Sequence, residues 1–242
     1  MKPIALLGAV FALLLACAPK PEPAERGTAL YFVENDGTEP ATPVRMIVSR
    51  KFLRIDGGER SRDFLLYDRA ARTTYDVSAA DRLILVIEPR AAPAGAPPKL
   101  THRIKRDTAT FPAVGGRSVV HYSLLTNGRL CYDLYAADGL LPDAVAALRE
   151  YREALAGEQR SAIGFTPNAA KTPCDLANHV YAPARHLTYG FPVRLVEPDP
   201  RDPKRRRITE LTDYRTDVEM APALFQLPES FRRMTLRELQ RR

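Results

Sequence analysis

The chain has 242 residues, of which 45% are hydrophobic and 27% are charged, and its formal net charge is +7. These proportions are typical of a globular protein rather than a disordered or fibrous one. Beyond the N-terminus no apolar run reaches the roughly 20 residues that span a bilayer, so no transmembrane helix is expected.

The N-terminus has the features of an export signal. A basic start, Met1-Lys2, precedes an apolar run from Ile4 to Leu15, and a small residue, Ala16, precedes Cys17. The stretch Leu14–Cys17 resembles the lipobox of bacterial lipoproteins. In that family the cysteine sulfur receives a diacylglyceryl group, the chain is cut before the cysteine, and the new amine is acylated. The alternative is an ordinary signal peptide with a cysteine there by chance.

The lipobox resemblance implies a location for the protein. Residues 1–16 form the signal peptide, and Cys17 carries lipid, including a palmitate-type chain, that holds the protein in a membrane. Residues 17–27 are a Pro-rich, extended tether. Because Ala18 rather than Asp follows the cysteine, we expect the outer membrane, facing the periplasm, in a bacterium with two membranes. The excess positive charge then favours anionic headgroups over nucleic acid.

The first half of the remaining chain has the pattern of a strand meander. Short apolar or alternating runs are separated by turn residues, mostly at intervals of about 8–12 residues. The predicted strands are Ala29–Val33, Val44–Ser49, Phe52–Ile55, Phe64–Tyr67, Thr73–Val77 and Leu83–Ile87. This spacing favours an antiparallel sheet over strand–helix–strand units.

Strands continue after a Pro- and Ala-rich loop at residues 91–98. A polar strand is predicted over Leu100–Thr110, and two more, Ser118–Leu125 and Leu130–Tyr135, flank the turn dipeptide Asn127-Gly128. The last predicted strands are Pro192–Val196, the long Arg207–Val218 and an edge piece, Leu224–Phe231.

One segment has a clear helical period. Val145, Leu148, Tyr151 and Leu155 recur at three- and four-residue steps, after a Pro near the helix start. The predicted helix runs over residues 141–156 and ends at Gly157. Residues 176–181 fit either a short helix or an irregular turn. Together these patterns predict a mainly β fold: a single domain, residues 28–242, with a curved antiparallel, half-barrel-like sheet, one main helix and short helical pieces.

Two cysteines remain after lipidation of Cys17. Cys131 and Cys174 are an even pair in an oxidising compartment, which predicts a disulfide, with two free thiols as the alternative. A bridge would fasten the chain that follows the helix to the strand that precedes it.

Other polar residues are candidate sites. Lys204, Arg205, Arg206 and Arg207 are interpreted either as a solvated hairpin tip or as a contact with anionic lipid headgroups. The four histidines, His102, His121, His179 and His186, have no usual zinc spacing, so neither a metal nor a cofactor is predicted. Aspartates at strand ends are interpreted as turn residues rather than acid–base groups; they are Asp56, Asp63, Asp68 and Asp76.

Several phrases of the sequence resemble a known superfamily. They are Phe52–Asp56, Asp63–Arg69, Gly190–Arg194 and Leu224–Pro228, and the resemblance extends over about residues 29–231. They look like envelope lipoproteins that share the half-barrel fold of the lipoprotein-localisation factors (LolA/LolB-like). The resemblance implies a curved sheet around a helical element and an apolar cavity that accepts acyl chains.

The leading functional hypothesis is a non-enzymatic envelope lipoprotein that binds an apolar or amphiphilic ligand, such as a lipid or acyl chain, or another envelope protein. The first alternative is a structural or assembly accessory with a solid core and protein partners. The second is an enzyme, for which the sequence has no nucleophile motif. No nucleic-acid partner is expected.

Overall fold

A computed structural model describes residues 25–37, 40–90, 99–163, 171–199, 202 and 204–240. The predicted signal peptide, Cys17 and most of the predicted tether therefore lie outside the described residues. No helix in the described part of the chain is long and apolar enough to cross a membrane.

The fold is mainly β, as predicted, and is built on one open, curved sheet of twelve strands. In chain order these are β1 Glu25–Asn35, β2 Thr42–Ser49, β3 Phe52–Asp56, β4 Phe64–Asp68, β5 Thr73–Ser78, β6 Leu83–Ile87, β7 His102–Arg106, β8 Val119–Thr126, β9 Arg129–Ala137, β10 Phe191–Pro198, β11 Arg206–Met220 and β12 Arg232–Thr235. Across the sheet the order is β12-β6-β5-β4-β3-β2-β1-β11-β10-β9-β8-β7. All neighbours are antiparallel except β12 and β6.

The helical pieces are one long helix and several short ones. They are α1 Pro142–Ala162, α2 Pro173–Asp175 with a π-helical turn Leu176–Tyr181, two 3-10 turns Arg185–Tyr189 and Pro222–Phe225, and α3 Leu236–Gln240. The prediction of one main helix is thus confirmed. Residues 176–181, predicted to form either a short helix or an irregular turn, form the π-helical turn.

The backbone conformations of Asn127 and Gly128 explain the hairpin between β8 and β9. Asn127 and Gly128 have φ angles of 50° and 78°, and a type I′ turn requires positive φ at both positions. This turn joins β8 to β9 as the dipeptide predicts.

Several predicted boundaries were wrong. The predicted edge strand Leu224–Phe231 is not a strand: it starts within the 3-10 turn Pro222–Phe225, and β12 begins only at Arg232. The first strand begins at Glu25, so residues 25–27 belong to β1 rather than to the tether. Glu25 pairs with Met220, and Gly27 lies against β2, where an added Cβ would be 2.3 Å from the Val48 carbonyl oxygen. Backbone pairing, with β11 from Glu25 and with β2 from Gly27, rather than apolar periodicity, extends the strand.

The main helix also continues past its predicted end, through Ala162. Gly157 lies in the helix at a close approach of the chain that follows β6. A Cβ at this position would be 2.2 Å from the Arg90 carbonyl oxygen. The glycine therefore makes room for a backbone instead of ending the helix, and this explains why its sequence signal was misleading.

The core lies between α1 and one side of the sheet, here called the inner side. The sheet contributes Leu30, Leu53, Tyr67 and Phe191, each 0% exposed. The helix meets them mainly with small side chains; its buried residues are Ala144, Ala147, Leu148, Ala154 and Ala156. Alanines let the helix lie close to the sheet, so it fills the inner side instead of standing away from it.

A second, separate apolar cluster lies on β8, β9 and β10. It consists of Leu124, Tyr132, Leu134, Ala136 and Leu195, with Tyr122 and Tyr189 at its border. The chain between the π-helical turn and β10 covers it: the His186 ring packs on the Tyr132 ring with centroids 5.0 Å apart. The segment 173–189 therefore covers this second cluster, and its Ala184 and Leu187 also join the core beneath α1.

Candidate functional site

The predicted cysteine pair is joined in the structure. Cys131 on β9 and Cys174 on α2 have their sulfurs 2.04 Å apart, and both residues are buried. Thr172 and Asp175 form a reciprocal capping box that starts α2, and this places Cys174 against the sheet. The bond ties the segment 173–189 to β9, as expected.

A cleft of about 270 Å³, the disulfide cleft, opens beside this bond. It brings the cysteines together with three of the four predicted basic residues. Its lining consists of Asp36, Cys131, Cys174, Asp175, Asn178, His179, Glu197, Pro198, Asp199, Arg205, Arg206 and Arg207. The cysteines and these basic residues are at least 31 residues apart in the chain. The order β9–β10–β11 in the sheet brings them side by side.

The charges in the disulfide cleft are mixed. The Arg207 guanidinium lies 2.9 Å from a Glu197 carboxylate oxygen and 3.7 Å from one of Glu34. Arg207 belongs to the predicted basic cluster Lys204–Arg207. Two carboxylates therefore compete with any lipid headgroup for its guanidinium. A headgroup contact at Lys204, Arg205 and Arg206 stays a prediction.

A polar cluster that the sequence reading missed surrounds His121 on β8. Its Nε2 lies 2.6 Å from Asp133 on β9, and its Nδ1 lies 3.1 Å from Asp107, just after β7. The Ser123 hydroxyl donates to the same Asp133 oxygen rather than to the histidine, at 3.2 Å. The imidazole stacks on the Tyr135 ring at 4.5 Å. With both ring nitrogens facing carboxylates, His121 links β8 to β9 and to the chain just after β7.

We expect the contacts of His121 with Asp133 and Asp107 to make the free energy of unfolding depend on pH. Partial burial lowers the pKa of His121, but hydrogen bonds to Asp133 and Asp107 raise it more, so the net pKa lies above its ordinary 6.5. Protonated His121 therefore stabilises the fold below pH 6.5, and this contribution is lost as the pH rises through the folded pKa. The slope from one proton is at most about 1.4 kcal/mol per pH unit.

Urea unfolding of His121→Gln between pH 6 and pH 8 measures this contribution. The downward slope of the unfolding free energy should be smaller than in the wild type. His102→Gln, in the neighbouring strand, is the matched control: burial and then Arg185 lower the pKa of His102, so its own slope has the opposite sign. If the unfolding free energy of His121→Gln had the same slope with pH as that of the wild type, the stabilising role of His121 would be refuted.

Comparisons with known proteins find neither a matching family model nor a matching curated protein. Solved structures of similar shape include a conserved protein from Thermus thermophilus, with a TM-score of 0.46, 7% identity and coverage of 86% of this chain and 90% of that one. PNGF-II has a TM-score of 0.40 and 8% identity over 87% of this chain, which spans 31% of that protein. A LolA superfamily protein from Nitrosomonas europaea has a TM-score of 0.30, 7% identity and coverage of 86% and 92%. At these scores the likenesses assign neither a family nor a function.

Proposed function

We propose that this protein is a lipid-anchored accessory of the cell envelope that binds other envelope proteins and does not itself catalyse a reaction. The observation that carries the proposal is the filled inner side of the sheet. A carrier of acyl chains needs an apolar hollow, and the resemblance to the LolA/LolB-like superfamily implied one there. Here α1 occupies that place, together with Ala184 and Leu187 of the segment 173–189.

The packing of this region supports a solid core. Side chains that would line a hollow, such as Leu30, Leu53 and Phe191, have no exposed surface. Clefts found on the described part of the chain have volumes of about 230–450 Å³. One of about 450 Å³ has three charged residues in its lining, Glu88, Arg90 and Glu158, beside apolar ones such as Val86 and Ile87, and burying an acyl chain against those charges would be costly. These features favour protein partners over a lipid cargo.

The anchor and the location remain part of the proposal. Lipid on Cys17 would hold the domain at the membrane, in the outer membrane facing the periplasm where the cell has two membranes. The absence of catalytic activity is likewise part of the proposal.

The test uses the full chain in its bacterial envelope. Chemical cross-linking followed by mass spectrometry should yield a discrete adduct with an envelope protein, and Cys17→Ala, which stays unlipidated, should lose it. Native mass spectrometry of the detergent-purified protein should show only the covalently attached lipid. Stoichiometric phospholipid beyond that lipid would favour the amphiphile-binding alternative and contradict the proposal.

A further inference from the structure

A second cleft, of about 350 Å³, lies between the outer face of α1 and the segment 180–185. We call it the arginine cleft. Its lining is Arg149, Glu153, Ala156, Arg160, Val180, Tyr181, Ala182, Pro183, Ala184 and Arg185. Alanines 156, 182 and 184 leave space at its base, and three arginines surround that space.

The cleft's arginines are held by neutral groups. Arg160 donates from Nη2 to the Val180 carbonyl oxygen at 3.2 Å, and its guanidinium lies over the Tyr181 ring. Arg185 donates from Nη1 to the Thr126 hydroxyl at 2.7 Å and from Nη2 to the Asn178 side-chain oxygen at 2.9 Å. The Nε atoms of Arg160 and Arg185 are buried without a hydrogen-bond partner in the described residues.

These cations also lack counter-ions, unlike others nearby. In the described part of the chain no carboxylate forms an ion pair with Arg149, Arg160 or Arg185. By contrast, Glu150 on the same helix binds Arg69 at 2.7 Å, and Glu158 binds Arg90 at 3.2 Å. These two acids of α1 have other partners, and Glu153 is the one carboxylate in the described lining of the cleft, so three arginines there face one acid and the cleft keeps a net positive charge.

Two of the cleft's arginines also act on the buried His186. Its pKa falls to about 3, first because of burial and then because of the charges of Arg152, Arg185 and Arg149. Leaving cations partly desolvated and unpaired is costly, and an anion in the cleft would offset that cost. Guanidinium forks donate to phosphate oxygens in pairs, which suits this ligand better than chloride.

We propose that the arginine cleft binds a phosphate group through Arg149, Arg160 and Arg185. The phosphate comes either from a phospholipid headgroup or from a free phosphate or phosphate ester. This site is separate from the sequence-predicted cluster Lys204–Arg207, and the inference does not depend on the identity of any protein partner.

Calorimetric titration of the full chain in neutral detergent tests the site with two probes, inorganic phosphate and short-chain dihexanoylphosphatidylglycerol. We expect saturable binding that weakens as salt is raised. Equal affinity for both probes indicates a free phosphate ligand, whereas clearly tighter binding of the lipid indicates a headgroup. Absence of binding of both probes at millimolar concentration would overturn the proposal.

Variants give the decisive comparison. Arg149→Gln combined with Arg160→Gln should weaken binding at least about tenfold, because two charge-assisted contacts are lost. Arg62→Gln removes an equal kind of charge from an exposed loop position and should change the affinity less than about twofold. If the double variant is unfolded by circular dichroism, Arg149→Gln alone decides, because its side chain makes no hydrogen bond within the described protein. Equal weakening by Arg62→Gln would show nonspecific attraction and refute the site.

Discussion

Asp56→Asn should lower the free energy of unfolding by about 3–5 kcal/mol, the cost of leaving buried charges unpaired. The Asp56 carboxylate has no exposed surface and accepts two hydrogen bonds from Arg45, at 2.9 and 3.0 Å, and one from Arg54 at 2.6 Å. Burial raises the pKa of Asp56, but the two arginines lower it more, so the carboxyl is charged in the fold. A neutral amide would leave two buried guanidinium groups without a counter-ion.

The effect should spread beyond the β2–β3 hairpin. Arg54 also donates to the Leu224 carbonyl oxygen at 2.7 Å, and its guanidinium lies 3.8 Å from the centre of the Phe64 ring. The cluster thus holds the C-terminal segment on the sheet, and limited proteolysis should cut Asp56→Asn faster near residue 224.

Urea unfolding monitored by circular dichroism at pH 7 measures the loss. Glu210→Gln is the control, because it removes a carboxylate that is 57% exposed and lies 3.5 Å from Arg194. Surface pairs of this kind contribute about 0–1 kcal/mol. A loss in Asp56→Asn no larger than that of the control would contradict the structural role of the cluster.

Removal of the Cys131–Cys174 bond should cost about 2–4 kcal/mol. The two cysteines are 43 residues apart, and the closed loop contains all of α1. Without the bond the unfolded chain gains conformational freedom, and the segment 173–189 loses its attachment to β9. Cys131→Ala combined with Cys174→Ala should therefore unfold at lower urea but keep its β-sheet spectrum.

The reduced wild type is the matched control, and it should unfold at the same urea concentration as the double variant. Mass spectrometry of a non-reduced digest of protein taken from the envelope should show the two cysteine peptides joined. Recovery of two separately alkylated thiols would refute the bridge.

Much of the fold is encoded in local signals. Runs of β-branched and aromatic residues between turn residues placed β2 to β6 and β8 to β9 to within a few residues, because strand and turn preferences act over short distances. The three- and four-residue period placed α1 for the same reason. Asp56 illustrates the limit: its turn bond from the Gly58 amide, at 3.0 Å, was predictable, whereas its two arginine partners were not.

The sequence by itself determined the class of fold, the main helix and the cysteine pair, since each depends on residues close together or on counting. Tertiary structure alone decided which side chains meet. A bulge between Leu124 and Leu125 shifts β9 by one residue, so that Asp133 lies opposite Ser123 and on the side of His121. A regular two-residue hairpin would have turned Asp133 to the other face, because neighbouring strand residues alternate in direction. Packing likewise brings residues of α1 close to Arg185 in the arginine cleft, and no local sequence pattern predicts this proximity.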